Sequence, residues 1–257
     1  MNSARDCPRS PQEAEVARKR QELAALEKAL VDRELFLANL RAELAGFEGR
    51  YLREIGALYA ELDEWNARLA EMTAQLMGTP QARAVAADAR AQAEESYAAS
   101  HGEAAKIEEF KPQPELKKLF REVCNQVHPD RAASDADRSV RERLMAEANL
   151  AYKRQDAGAL LRIVEEYKNR PEAVTGSGTA EDLERVVRQI QSIRRRLDEI
   201  EAEIAALTAS EIAGLMAKVQ GAAARGRELL DDMARGIRMR IENLRDEYEG
   251  RSTGLRV

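Results

Sequence analysis

The sequence predicts an all-α protein in which two long coiled-coil arms flank a small helical module. Three observations carry that reading. Of 257 residues only 4% are aromatic while 34% are charged, which supplies too few bulky anchors for one large core and suits long charged helices. Apolar residues recur at alternating steps of three and four over two separate stretches. Glycine and proline are few and clustered, so they punctuate the chain at a handful of places.

In order, residues 1–10 read as a tail, 11–78 as the first arm, 79–111 as an Ala-rich connecting helix, 112–170 as the module, 171–179 as a linker, 180–250 as the second arm and 251–257 as a second tail. Ser10-Pro11-Gln12-Glu13 is a helix start, with Ser10 as N-cap and proline at the first helical position. The first seam runs Leu23, Leu26, Leu30, Arg33, Leu37, Leu40, Leu44, Phe47 and Tyr51. A four-residue step from Tyr51 to Ile55 breaks the register before Leu58, Leu62, Trp65, Leu69, Met72 and Leu76 resume it, which predicts a stutter that locally unwinds the helix. Gly78-Thr79-Pro80 ends the arm, and Ala82 to Ala99 favours helix intrinsically but offers little to bury.

Gly176-Ser177-Gly178 marks the linker, after which Leu183, Val186, Ile190, Ile193, Leu197, Ile200, Ile204 and Leu207 hold heptad spacing. The pattern loosens through Gly214, Gly221 and Gly226 before Leu230, Met233, Ile237, Ile241, Leu244 and Tyr248 restore it. The two arms have nearly equal spans. They are therefore expected to associate antiparallel within the chain, with a parallel homodimer as the alternative.

Between the arms, His128-Pro129-Asp130 interrupts a helical pattern. Proline restricts the residue before it, so a helix through Glu115 to Val127 should stop at His128 and leave a rigid turn, expected to be exposed, carrying an imidazole and a carboxylate. Leu116, Phe120, Val123, Cys124 and Val127 share one apolar face of that helix, while Lys117, Lys118 and Arg121 share a basic one. Beyond a polar loop come Met145, Asn149, Ala151 and Tyr152. This arrangement resembles the J domain of the DnaJ co-chaperone family, over about a quarter of the chain, with a thinner basic face because Glu122, Asn125 and Gln126 stand where basic or apolar residues are frequent. The family's first helix has no plain counterpart; Ser100-His101-Gly102-Glu103 could start a short one ending near Phe110, with Ile107 and Phe110 doing its packing.

The resemblance implies docking on a DnaK-type chaperone ATPase and stimulation of its ATP hydrolysis. Lys117, Lys118 and Arg121 would steer an acidic partner, Pro129 would set the loop shape, and His128 and Asp130 would make directional contacts. The arms would provide homo-oligomerisation or the choice of an as yet unspecified client or complex. The alternative is a coiled-coil scaffold carrying an inert module.

Other function classes find little support. There is no phosphate-binding glycine loop and no Cys-x-x-Cys, His101 has no ligand cluster around it, and the adjacent Asp231 and Asp232 point to different helix faces, so neither an enzyme site, a cofactor nor a metal is expected. A net charge of −5 argues against nucleic acid or an anionic membrane as the main partner, and Arg194-Arg195-Arg196 is followed by Asp198, Glu199 and Glu201 as on a solvated helix face. No run reaches a membrane span and Met1 to Pro11 lacks a signal-peptide core, so a cytoplasmic protein is expected. Cys7 lies in the tail and Cys124 on the apolar face, which excludes a disulfide framework and makes Cys124 a small buried hydrophobe.

Overall fold

The computed structural model describes residues 11–132, 134–168 and 179–254, and these are helical throughout apart from short turns and connections. The expected N-cap at Ser10, the position of Cys7 and the Gly176–Gly178 linker lie outside them. The helices are α1 (Pro11–Tyr51), α2 (Ala57–Met77), α3 (Pro80–His101), α4 (Pro114–Val127), α5 (Asp135–Lys153), α6 (Ala157–Lys168), α7 (Thr179–Thr208), α8 (Glu211–Ala223) and α9 (Leu229–Gly254). They form two compact units, one from residues up to 42 and 111–207, the other from 43–110 and 208 onward.

In the first unit, Leu30 and Leu37 of α1 and Ile193 and Ile200 of α7 form a fully buried seam, flanked by Leu23, Leu26, Leu197, Ile204 and Leu207. Each buried pair is one heptad apart, as the sequence spacing requires. Ion pairs fix the direction. Glu22 meets Arg194 at 2.6 Å, Arg33 meets Glu201 at 2.8 Å, and Arg41 meets Glu203, so the partners rise together along both helices. These two helices run parallel, not antiparallel as expected. Helices α4, α5 and α6 complete this unit by packing on one another around Phe120, Leu144, Tyr152, Leu160 and Ile163, all at most 1% exposed.

The second unit is built on α2. Between α1 and α2 the chain makes one π-helical turn, Leu52–Gly56, at the stutter read from the sequence, and the extra residue turns Ile55 fully inward. Helix α2 ends at Gly78, whose φ of 64° is the left-handed C-terminal cap, and Thr79 caps α3 by accepting the Ala82 N–H at 3.2 Å. Helix α3 then doubles back along α2. Far from being a bare connector, it buries Ala86, Ala93 and Ser100 while α2 buries Ala60, Ala67 and Ala74. Both sets repeat every seven residues, so small side chains let the two backbones approach closely. Arg90 ties the pair to Glu64 at 2.5 Å and Glu71 at 2.8 Å. The reversal that antiparallel arms would have needed is thus already made by α3.

On another side of α2, Ile55 and Leu62 pack with Leu230, Ala234, Ile237 and Ile241 of α9. Trp65 meets Tyr248 edge-on at 5.7 Å, Glu61 pairs with Arg245 and Thr73 accepts from Arg251, again in parallel order. The expected single C-terminal arm is therefore interrupted. Helix α7 stops at Thr208, Ser210 caps α8 by accepting the Ala213 N–H at 3.3 Å, and Gly226 at φ 71° turns the chain into α9. The expected short helix before the module is likewise replaced: Ser100 and His101 end α3, Ala104–Lys106 is a single 3₁₀ turn, and the chain follows without helix to Pro114. Residues 104–110 belong to the second unit.

Candidate functional site

Helix α4 starts with Pro114 at its first turn and buries Leu116, Phe120, Val123, Cys124 and Val127, the face expected from the sequence. Lys118 and Arg121 are exposed and Lys117 is half-buried on its other side. At His128 the backbone leaves the helix for the extended region, and Pro129–Arg131 make a 3₁₀ turn. That turn closes through Arg131 N–H to His128 C=O at 3.1 Å and Ala132 N–H to Pro129 C=O at 3.0 Å.

The polar groups of this turn point into the protein. His128, expected to be exposed, is 2% exposed. Its Nδ1 accepts the Asp130 N–H at 3.2 Å, which places the ring proton on Nε2, and Nε2 donates to Glu34 Oε1 of α1 at 3.3 Å. Arg196 of α7 donates to the same carboxylate oxygen at 2.8 Å. Burial would raise the Glu34 carboxyl, but the hydrogen bonds from His128 and Arg196 and the charge of Arg196 outweigh it and hold the group below its ordinary value. Arg196 is shifted upward: burial opposes its charge, and the pairing with Glu34 and Glu203 prevails.

Asp130 is equally committed. Its Oδ1 accepts from Ser192 Oγ of α7 at 2.7 Å and from Arg138 of α5 at 3.1 Å. Arg131 pairs with Glu27 of α1 at 2.9 Å and donates to the Asn125 carbonyl, and Arg121 reaches Asp32 of α1 at 3.4 Å. Beside the turn, a cleft of about 310 Å³ is lined by Glu34, His128, Arg138, Glu142, Asn149 and Arg196, among others.

Two further residues hold the turn in place. Arg141 of α5 donates to the carbonyls of Gln126 at 2.9 Å and His128 at 3.2 Å, which satisfies acceptors left over at the end of α4. It also pairs with Asp137 at 2.8 Å and lies over the Tyr167 ring of α6 at 4.8 Å, donating to its hydroxyl. Tyr152 packs on Phe120 with ring centroids 4.4 Å apart and donates to Asn39 of α1 at 2.8 Å, so α1 supports the module where a first helix was sought.

Of the residues singled out in the sequence, the structure brings His128, Pro129, Asp130 and Arg121 into this network and leaves Lys117 and Lys118 outside it. Sequence reasoning missed Glu34, Arg141 and Ser192, and read Arg196 as part of a solvated helix face. Arg141 had a signal, since Asp137 precedes it by one helical turn. Glu34 had one too: it lies one heptad beyond Glu27 and three residues before the seam residue Leu37. Cys124 is fully buried as expected, and burial, together with the negative charge of Glu34, pushes its thiol well above the ordinary value. Among the described residues there is no group of three or more His, Cys, Asp or Glu side chains able to hold a metal, and no helix is long and apolar enough to cross a membrane.

No known family, curated protein or solved structure matches this chain.

Proposed function

We propose that the chain is a protein-binding factor of the co-chaperone kind, which docks on a DnaK-type chaperone ATPase through α4 and the His128-Pro129-Asp130 turn and stimulates its ATP hydrolysis. In this reading the protein works in the cytoplasm without a cofactor, catalyses nothing itself, and uses its coiled-coil arms for oligomerisation or client choice. One observation carries the reading. The apolar face of α4 leads into the turn, Tyr152 from Asn149-x-Ala151-Tyr152 seats on Phe120, and the Lys117 and Lys118 side chains lie off that buried face. A basic helix face beside a rigid turn is suited to steering and docking an acidic protein surface.

A second reading, a scaffold whose module is a structural joint, draws on the burial of His128 and the internal bonds of Asp130. A steady-state ATPase assay with a DnaK-type chaperone separates the two. The co-chaperone reading predicts faster hydrolysis with the full chain and loss of the increment in Asp130→Asn; identical rates with and without the protein refute it.

A further inference from the structure

We propose that α1 and α7 latch the His128–Asp130 turn, and that it opens to an acidic protein partner only when the acidic residues of α1 are displaced. This inference rests on the co-chaperone reading above and concerns the regulation of the same site.

The latch is visible as a set of matched charges. Glu27, Asp32 and Glu34 of α1 occupy Arg131, Arg121 and the His128–Arg196 pair respectively, so an internal acidic surface sits where an acidic partner would have to bind. From the other side Ser192 of α7 takes Asp130. The side chains of Lys117 and Lys118 have no hydrogen-bond or ion-pair partner among the described residues and remain available for a first encounter.

Strength is graded along this surface. Both members of the Arg121–Asp32 pair are about half exposed, 50% and 53%, so that contact is weak and exchangeable with solvent. Arg131 and Glu27 are less exposed, at 29% and 22%. Glu34 and His128 are enclosed, with side chains 4% and 3% exposed. An acidic competitor would therefore take Arg121 first, then Arg131, and reach the enclosed Glu34–His128 bond last. The apolar seam of Leu30, Leu37, Ile193 and Ile200 makes none of these contacts, so α1 can give up its polar grip without the helix pair losing its core.

The test uses the full chain and two readouts, amide hydrogen exchange over residues 128–132 and stimulation of a DnaK-type ATPase. Glu27→Lys/Asp32→Lys places repelling charges opposite Arg131 and Arg121 while leaving the seam intact. The latch predicts exchange of the Asp130, Arg131 and Ala132 amides about tenfold faster than in the unaltered protein, together with several-fold greater stimulation. Should circular dichroism show that this variant has lost helix, Glu34→Gln/Arg196→Gln, which neutralises both partners without adding bulk, gives the same reading. Unchanged exchange in a folded variant overturns the latch. Faster exchange with stimulation equal to that of the unaltered protein overturns its regulatory role and leaves the co-chaperone reading standing. Faster exchange with no stimulation by either protein supports the covering of the turn by α1 and α7 and overturns the co-chaperone reading.

Discussion

Replacing Gly49 by alanine should destabilise the second unit, although the same change in a helix ordinarily helps. Gly49 lies near the end of α1, where alanine is favoured over glycine by about 1 kcal/mol. Here a Cβ would stand 2.3 Å from the Ile107 carbonyl oxygen and 2.9 Å from that of Ala104. Both obstacles are backbone, and the segment would have to retreat by roughly 1 Å before the contact became ordinary. That segment is held by Arg53, which donates to the carbonyls of Ala105 at 2.5 Å and Ile107 at 2.7 Å. Overpacking costs about 1–3 kcal/mol and the loss of one bond to a charged donor about 1.5–3 kcal/mol, so after the helix gain of about 1 kcal/mol the net destabilisation is about 1.5–5 kcal/mol. Urea unfolding followed by fluorescence of Trp65, the chain's only tryptophan and a residue of the same unit, reads the effect. Gly236→Ala in α9 is the control: nothing lies within 4 Å of its added Cβ, so its midpoint should rise. If Gly49→Ala stabilised the protein as Gly236→Ala does, the close approach of residues 104–110 to α1 would be refuted.

Other expectations follow from the turn. Arg141→Met keeps the bulk but strands the Gln126 carbonyl and removes one of the two bonds to the His128 carbonyl, which keeps the Arg131 N–H, so the first unit should lose about 2–3 kcal/mol, seen as an earlier thermal transition in near-ultraviolet circular dichroism. His128→Gln should cost about 1–2 kcal/mol rather than nothing, because an amide can serve either Glu34 or the Asp130 N–H but not both; an unchanged melting temperature would contradict the buried placement. The fold lowers the Glu34 carboxyl below its ordinary value of about 4.5, so it favours the ionised form. Its contribution is accordingly complete above about pH 4.5 and is lost as pH falls through the lower folded value. Protection of the amides over 128–132, taken as exchange relative to the intrinsic rate at each pH, should therefore fall on acidification below about pH 4.5, and Glu34→Gln should remove much of that dependence.

Much of this fold was legible because amphipathic spacing is a local signal. The buried face of α4 and the seams of α1 and α7 carry large apolar residues at helical intervals, and the stutter at Tyr51–Ile55 appears as a π turn because one surplus residue must go somewhere. The Ala-rich α3 was harder to read. Its packing depends on residues too small to register as a hydrophobic stripe, and only the seven-residue repeat of Ala86, Ala93 and Ser100 betrays it. Helix direction was illegible for a related reason, since apolar seams are nearly indifferent to polarity and the ordering of Glu22–Arg194 and Arg41–Glu203 is long-range. The same holds at the site. His128, Pro129 and Asp130 are marked by proline's local geometry, whereas the partners that bury His128 and bind Asp130, namely Glu34, Ser192 and Arg196, lie between 62 and 94 residues away from them or hold Glu34 across 162 residues.

The most direct test of the central claim is calorimetric titration of an ATP-bound DnaK-type chaperone with the full chain and with Lys117→Glu/Lys118→Glu, at low and physiological salt. The account predicts binding by the unaltered protein that weakens as salt rises, and binding by the variant at least about tenfold weaker and less sensitive to salt. Equal affinities for the two proteins, or no binding by either, would contradict it.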